Sequence, residues 1–200
     1  LANTAYVQES CPEDLDIKKN LFAQLDEIAD PNTILASSSS ALVPSSFTEF
    51  LKGRKRCLVA HPINPPYLIP AVELCPAPWT DENVMAKTRE IMENAGHAPI
   101  SMKRELDGFI MNRLQGALLQ EAFRLVENGY ASVEDIDRGI AQGLALRWSF
   151  MGPFETIDLN APNGVRDYVE RYGNIYKRLA PDFAKPIDMN GDIINNSTGS

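Results

Sequence analysis

His61 and Glu73 are the two side chains in this 200-residue chain whose types and spacing best suit proton transfer. His61 ends the short apolar run in Cys57-Leu-Val-Ala-His61-Pro-Ile-Asn64-Pro65, and Glu73 sits twelve residues later in Pro70-Ala-Val-Glu-Leu-Cys75. Each run reads as a strand, and strands lying side by side in a sheet bring such side chains within reach. An imidazole held at one nitrogen by a carboxylate is a general acid/base with a fixed tautomer. The bland alternative is a strand-end histidine with one satisfied hydrogen bond and an exposed carboxylate. His97 is the only other histidine, so few residues compete for this chemistry. Two further features add weight: the serine cluster Ser37 to Ser40, and Asn112 at the start of an amphipathic helix. The serines read equally well as helix caps.

Alternating elements must carry these residues. Residues 13–30 predict a helix with Ile17, Leu21, Leu25 and Ile28 on one face, ended by Pro31. Strands are predicted at 33–36, 57–60, 71–75 and 99–102. Between them lie a short helix over 44–51 and a longer one from Thr80-Asp-Glu to about Asn94. Strands alternating with helices predict a largely parallel sheet covered on both faces. Composition shifts near Asp107. Asp107 is read as the cap of a long helix bearing Ile110, Leu114 and Leu118 and stopped by Gly129. Ser132-Val-Glu-Asp135 opens another helix, ending near Gly143. Further helices begin at Pro153 and Val165. The last dozen residues, rich in Asn, Ser and Gly, read as a frayed tail. The fold class is therefore α/β followed by all-α.

Bulk properties narrow the function. The composition is 44% hydrophobic and 23% charged, with a net charge of −8. An acidic chain is repelled by nucleic acid and by anionic membranes. Lys52-Gly-Arg-Lys-Arg56 is short and reads as a solvated loop. No run approaches the roughly 18 apolar residues that a membrane span needs. Three cysteines, Cys11, Cys57 and Cys75, are too few and scattered for a disulfide framework or a zinc site, and read as reduced, buried thiols in a cytoplasmic setting. No two glycines lie two residues apart, so the G-x-G-x-x-G phosphate turn is absent. The opening residues, Leu1 to Glu9, read as a strand already under way, which predicts a missing first part.

Six motifs in order carry a resemblance. They are Pro12-Glu13-Asp-Leu-Asp-Ile-Lys18, Ile34-Leu-Ala-Ser-Ser-Ser-Ser40, His61-Pro-Ile-Asn64-Pro65, Glu73, Gly108-Phe-Ile-Met-Asn112-Arg-Leu and Met151-Gly-Pro-Phe-Glu155. Together they resemble the 3-hydroxyacyl-CoA dehydrogenase family. His61-Pro-Ile-Asn-Pro-Pro66 and Leu146-Arg-Trp148 are most similar to its lambda-crystallin branch, whose members act as L-gulonate 3-dehydrogenases. The resemblance implies a partial Rossmann domain over residues 1–104, its glycine-rich portion lying upstream. It also implies a helical, 6-phosphogluconate-dehydrogenase-like domain over 105–200 that binds substrate and forms a homodimer.

The activity so implied is NAD-dependent oxidation of a 3-hydroxy acid, with L-gulonate as the first choice. A 3-hydroxyacyl-CoA or carnitine dehydrogenase, or a non-catalytic crystallin-like dimer, are the alternatives. His61 would take the alcohol proton and Glu73 would hold the imidazole. Ser40 and Asn112 match family residues that bind the reacting oxygen. Glu13, Lys18, Ser40 and Asn64 match positions near the cofactor; without the resemblance, Glu13 and Lys18 read as solvated helix charges. Arg147, beside Trp148, is the candidate for the carboxylate of a sugar acid. No metal site is read, and these residues alone are expected to be inactive.

Overall fold

The computed structural model describes residues 3–187. Leu1, Ala2 and the tail read as frayed lie outside the described residues. The chain divides into two compact units, Leu1–Arg113 and Leu114–Ser200. The first holds β1 (Tyr6–Glu9), α1 (Leu15–Ile28), β2 (Ile34–Ser37), α2 (Ser45–Thr48), β3 (Cys57–Pro62), β4 (Ala71–Pro76), α3 (Glu82–Asn94) and β5 (Ala98–Ser101). The helix α4 (Met111–Glu127) begins in this unit and runs into the second. There α5 (Val133–Gly139), α6 (Ala145–Trp148), α7 (Pro153–Leu159) and α8 (Gly164–Phe183) follow.

The five strands lie in chain order, β1-β2-β3-β4-β5. All neighbours are parallel except β3 and β4, which run antiparallel. The link over residues 63–70 explains the exception, because a parallel crossover needs about a dozen residues or more. Side chains alternate between two cores. Leu35, Cys57, Val59 and Cys75 face Phe22 and Leu25 of α1 and Phe47 of α2. Ile34, Ala36, Leu58, Ala60, Val72 and Leu74 face Met92 of α3. Helices thus cover both faces, as the sequence predicts. Each fully buried Phe or Leu contributes about 2 kcal/mol of transfer free energy.

Three local readings need correction. Asp14 caps α1, accepting from the N–H groups of Asp16 and Ile17. The buried face of that helix is Lys18, Phe22 and Leu25, while Ile17 and Ile28 are exposed. The ammonium of Lys18 turns inward to meet Glu9, which rotates the helix away from the apolar stripe. Arg56 is likewise not solvated: it is buried and bonds Asp26 Oδ1 at 2.8 Å. Of the cysteines, Cys57 and Cys75 are buried but Cys11 is exposed.

Helix starts and stops also shift. Asp107 does not cap α4, which begins at Met111. Gly108 and Phe109 have φ of +74° and +49°, which no right-handed helix accommodates. Past Gly139 the chain does not stop near Gly143; a π-turn over Ile140–Leu144 carries it into α6.

Candidate active site

The parallel strands β1, β2 and β3 end side by side, and open α/β sheets bind ligands at such carboxyl ends. His61 is the penultimate residue of β3 and pairs directly with Glu73 of β4. Directly opposed residues of an antiparallel pair share one face, with their Cβ atoms about 5 Å apart. The side chains meet accordingly: His61 Nδ1 lies 2.9 Å from Glu73 Oε2. Glu73 is fully enclosed, and His61 keeps 7% of its surface exposed. The Phe109 ring packs against the imidazole, with centroids 5.7 Å apart.

The second oxygen of Glu73 does different work. Oε1 accepts from the N–H groups of Ile110 at 2.8 Å and Met111 at 2.9 Å, at the very start of α4. An anion here complements two unpaired donors and the positive end of the helix dipole. The left-handed turn at Gly108 and Phe109 precedes those two amides. Phe109 carries a backbone conformation that costs about 1–3 kcal/mol in a non-glycine residue, with its ring buried in the sheet core. Burial alone would raise the Glu73 pKa. The hydrogen bonds from His61 and from the Met111 and Ile110 amides outweigh it and hold the carboxyl below the usual range.

Asn112, the next residue, donates from Nδ2 to the Ser40 carbonyl at 2.7 Å. The Ser40 N–H donates to Glu13 Oε2 at 3.2 Å. One chain of contacts and adjacent residues therefore links Glu13, Ser40, Asn112, Glu73 and His61. The other sequence candidates stand apart from it. Lys18 is fully buried, its ammonium 2.9 Å from Glu9 Oε2 and 3.4 Å from Ser37 Oγ. It is not the solvated helix charge that its position in the sequence suggests. Asn64 is exposed in the link after β3. Arg147 lies in the second unit, on an apolar cavity of about 500 Å³ shared with Trp148, Phe154 and Tyr168.

Sequence reasoning missed Glu9 and Phe109, and named Ser37 and Ser39 only as members of the serine cluster. Ser37 Oγ donates to Glu9 Oε2 at 2.6 Å, and Ser39 N–H donates to Ser37 Oγ at 3.1 Å. The available signal was period-two alternation: Glu9 shares the face of Val7, which packs on the first core.

A mainly parallel sheet with polar groups gathered at its strand ends, followed by helices, defines a Rossmann-type α/β layout with a helical extension. Residues 1–105 match the 3-hydroxyacyl-CoA dehydrogenase NAD binding domain, and residues 108–189 match the C-terminal domain of the same enzymes. The chain belongs to the 3-hydroxyacyl-CoA dehydrogenase family. It is 48% identical to the lambda-crystallin homolog of Bos taurus over 186 residues, covering 93% of this chain and 58% of that protein. It is 40% identical to an L-carnitine dehydrogenase of a Pseudomonas species over 173 residues, covering 86% and 54%. Among solved structures it resembles FHMPC 5-dehydrogenase, an NAD+-dependent dismutase, with TM-score 0.84 and 26% identity over 94% of this chain and 59% of that one. The chain thus spans little more than half the length of the curated relatives it matches.

Proposed function

We propose that these residues form the acid/base and substrate-binding portion of an NAD-dependent dehydrogenase of 3-hydroxy acids, oxidising L-gulonate to 3-dehydro-L-gulonate. The contact between His61 and Glu73 at 2.9 Å carries the reading. Nδ1 is taken by the carboxylate, which leaves Nε2 to accept the alcohol proton in oxidation and return it in reduction. Glu73 is anchored on both oxygens, so the ring is held in one orientation with a carboxylate at its back. Asn112 uses one amide N–H on Ser40 and keeps a second for the reacting oxygen, beside the Ser40 hydroxyl.

The exposed polar groups at the strand ends suit a nicotinamide nucleotide, while the glycine-rich phosphate turn is not among these residues. Glu13 and Asn64, both exposed, are the side chains that would hold the cofactor, with Ser40 beside them. Lys18 would act from beneath, through Glu9 and Ser37. When bound, NAD supplies the hydride acceptor. The branch residues Leu146-Arg-Trp148 and His61-Pro-Ile-Asn-Pro-Pro66 support L-gulonate, and Arg147 is the proposed partner of its carboxylate. The carnitine dehydrogenase relative favours L-carnitine as a second substrate.

The helical unit leaves Phe150, Phe154 and Leu159 exposed, which supports a homodimer through this unit. Among the described residues no helix is long and apolar enough to cross a membrane, and the three cysteines are free thiols, which supports the cytosol as its setting. The test is to extend the chain upstream to its relatives' length and follow NADH formation with L-gulonate, L-carnitine and 3-hydroxybutyryl-CoA. L-Gulonate should be turned over, and His61→Gln should slow it about a hundredfold or more. No turnover of any substrate, or an unimpaired His61→Gln, overturns the reading.

A further inference from the structure

The loop carrying Ser40 is gripped from two sides, and the outer grip has the shape of an anion site filled by the protein itself. On the inside, Glu9 accepts from Ser37 Oγ at 2.6 Å, and its backbone carbonyl accepts from Ser38 N–H at 2.8 Å and Ser38 Oγ at 2.7 Å. That grip stops short of Ser40. On the outside, the N–H groups of Ala41 and Leu42 donate to Glu13 Oε1 at 3.0 and 3.1 Å, and Ser40 N–H donates to Oε2 at 3.2 Å. The Ser39 hydroxyl also donates to Oε1. Three successive amides converging on one anion form a nest.

We propose that Glu13 is a positioning residue: its carboxylate fills the amide nest at residues 40–42 and so fixes the Ser40 carbonyl on which Asn112 is hung. The idea rests on the reading above only in treating Ser40 and Asn112 as the oxygen-binding pair. Oxygen count supports it. Oε1 has three donors and Oε2 one, so Oε1 is filled by the loop while Oε2 retains a lone pair for a ligand hydroxyl. Burial would raise the Glu13 pKa, but the Ser39 hydroxyl and the Leu42, Ala41 and Ser40 amides hold it low, so the clamp stays charged. A glutamine replaces it only in part, because with its oxygen in the Oε1 place its NH2 faces the Ser40 N–H.

The amide spectrum of the 200-residue chain tests this without requiring activity. Glu13→Ala should shift the backbone amides of residues 40–42 and the side-chain amide of Asn112 together. Titrated sodium formate should return both sets toward their original positions. Glu13→Gln, which keeps the volume, should give smaller shifts of the same amides and serves if Glu13→Ala fails to fold. Unmoved amides at 40–42 overturn the proposal, as does a loop that moves while Asn112 does not. In the upstream-extended protein, Glu13→Ala should lower kcat about tenfold to a hundredfold at saturating NAD, with recovery in formate. A rise in the KM for NAD with kcat unchanged makes Glu13 a ligand contact only and overturns the clamp. If the unsubstituted extended protein turns over nothing, the dehydrogenase reading fails, while the spectra still decide the role of Glu13.

Discussion

The two units draw on similar apolar residues and enclose them very differently. In Leu1–Arg113 the sheet and its helices seal Phe22, Leu35, Phe47 and Val59 completely, and seal Lys18 and Glu73 with them. In Leu114–Ser200, Thr156 and Ala161 are the only buried residues among those described. Leu114, Leu146, Phe150, Phe154 and Leu159 there are each more than half exposed. A pleated sheet with helices on both faces closes two cores within about a hundred residues. Helices with one apolar stripe each have no such closure and need a further surface to cover them. The contrast also explains where ions can be interred. A buried charge is tolerated only where rigid neighbours supply its partners, and the proposed acid/base pair stands in the unit that has them.

The sharpest way to break this comparison is to unpair a buried ion. Lys18→Met leaves Glu9 enclosed without its cation and should destabilise the first unit by about 3–5 kcal/mol. The double variant Lys18→Met/Glu9→Gln should recover a large part of that loss, because neither charge is then stranded. Urea unfolding followed by tryptophan fluorescence reads both. A cost for Lys18→Met below about 1 kcal/mol would mean that water reaches this interior, and the distinction between the units would vanish.

Much of the first unit was legible because its strands are short apolar runs punctuated by Pro, Gly and Ser. The antiparallel turn between β3 and β4 was legible in principle, from a link too short for a crossover. The buried stripe of α1 was not, because a lysine occupies it: Lys18, Phe22 and Leu25 follow helical spacing, but the cation reads as solvent-facing until Glu9 is placed opposite. Asp107 misled for a similar reason. It has the chemistry of a cap, yet the cap that α4 uses is Glu73, from a strand far away in sequence, and no local pattern encodes that. His61 and Glu73 themselves were readable as a pair by spacing, whereas the second task of Glu73 was visible only in the folded chain. Along α4 the apolar stripe of Ile110, Leu114 and Leu118 was legible from its spacing; Ile110 packs on the first core, but Leu114 is 60% exposed. Periodicity reports an apolar face and not what covers it.

That uncovered face gives a second test of intermediate size. If a second copy covers it, a tenfold rise in protein concentration should raise the melting temperature by a few degrees. Phe154→Ser should abolish the dependence while hardly changing a dilute, monomeric sample, since exposed substitutions cost within about 0.5 kcal/mol. Sedimentation of the two proteins at matched concentrations checks the same point. A melting temperature independent of concentration would leave the second unit as a monomer with a bare apolar surface and would remove the dimer from the comparison.

The smallest expected effect is the acid limb of stability, and it too separates the units. Glu73, Glu13 and Asp26 in the first unit have lowered pKa values. In the second unit Asp167 does as well, chiefly through its hydrogen bond from Arg171. A carboxyl whose folded pKa lies below its unfolded one stabilises the fold fully above the unfolded value, about 4. That contribution is lost as pH falls through the lowered folded value. Glu73 is enclosed, so its share should persist in high salt, whereas the exposed pair of Asp167 and Arg171 is screened. Hydrogen exchange at the Ile110 and Met111 amides, followed from neutral pH into acid, isolates Glu73 because those two N–H groups bind it directly. Their protection should fall with acid at the same pH in low and high salt, and Glu73→Gln should weaken it already at neutral pH and flatten its pH dependence. Protection that collapses on adding salt at neutral pH would place Glu73 in contact with solvent ions, and the sealed first unit would then behave no differently from the open second one.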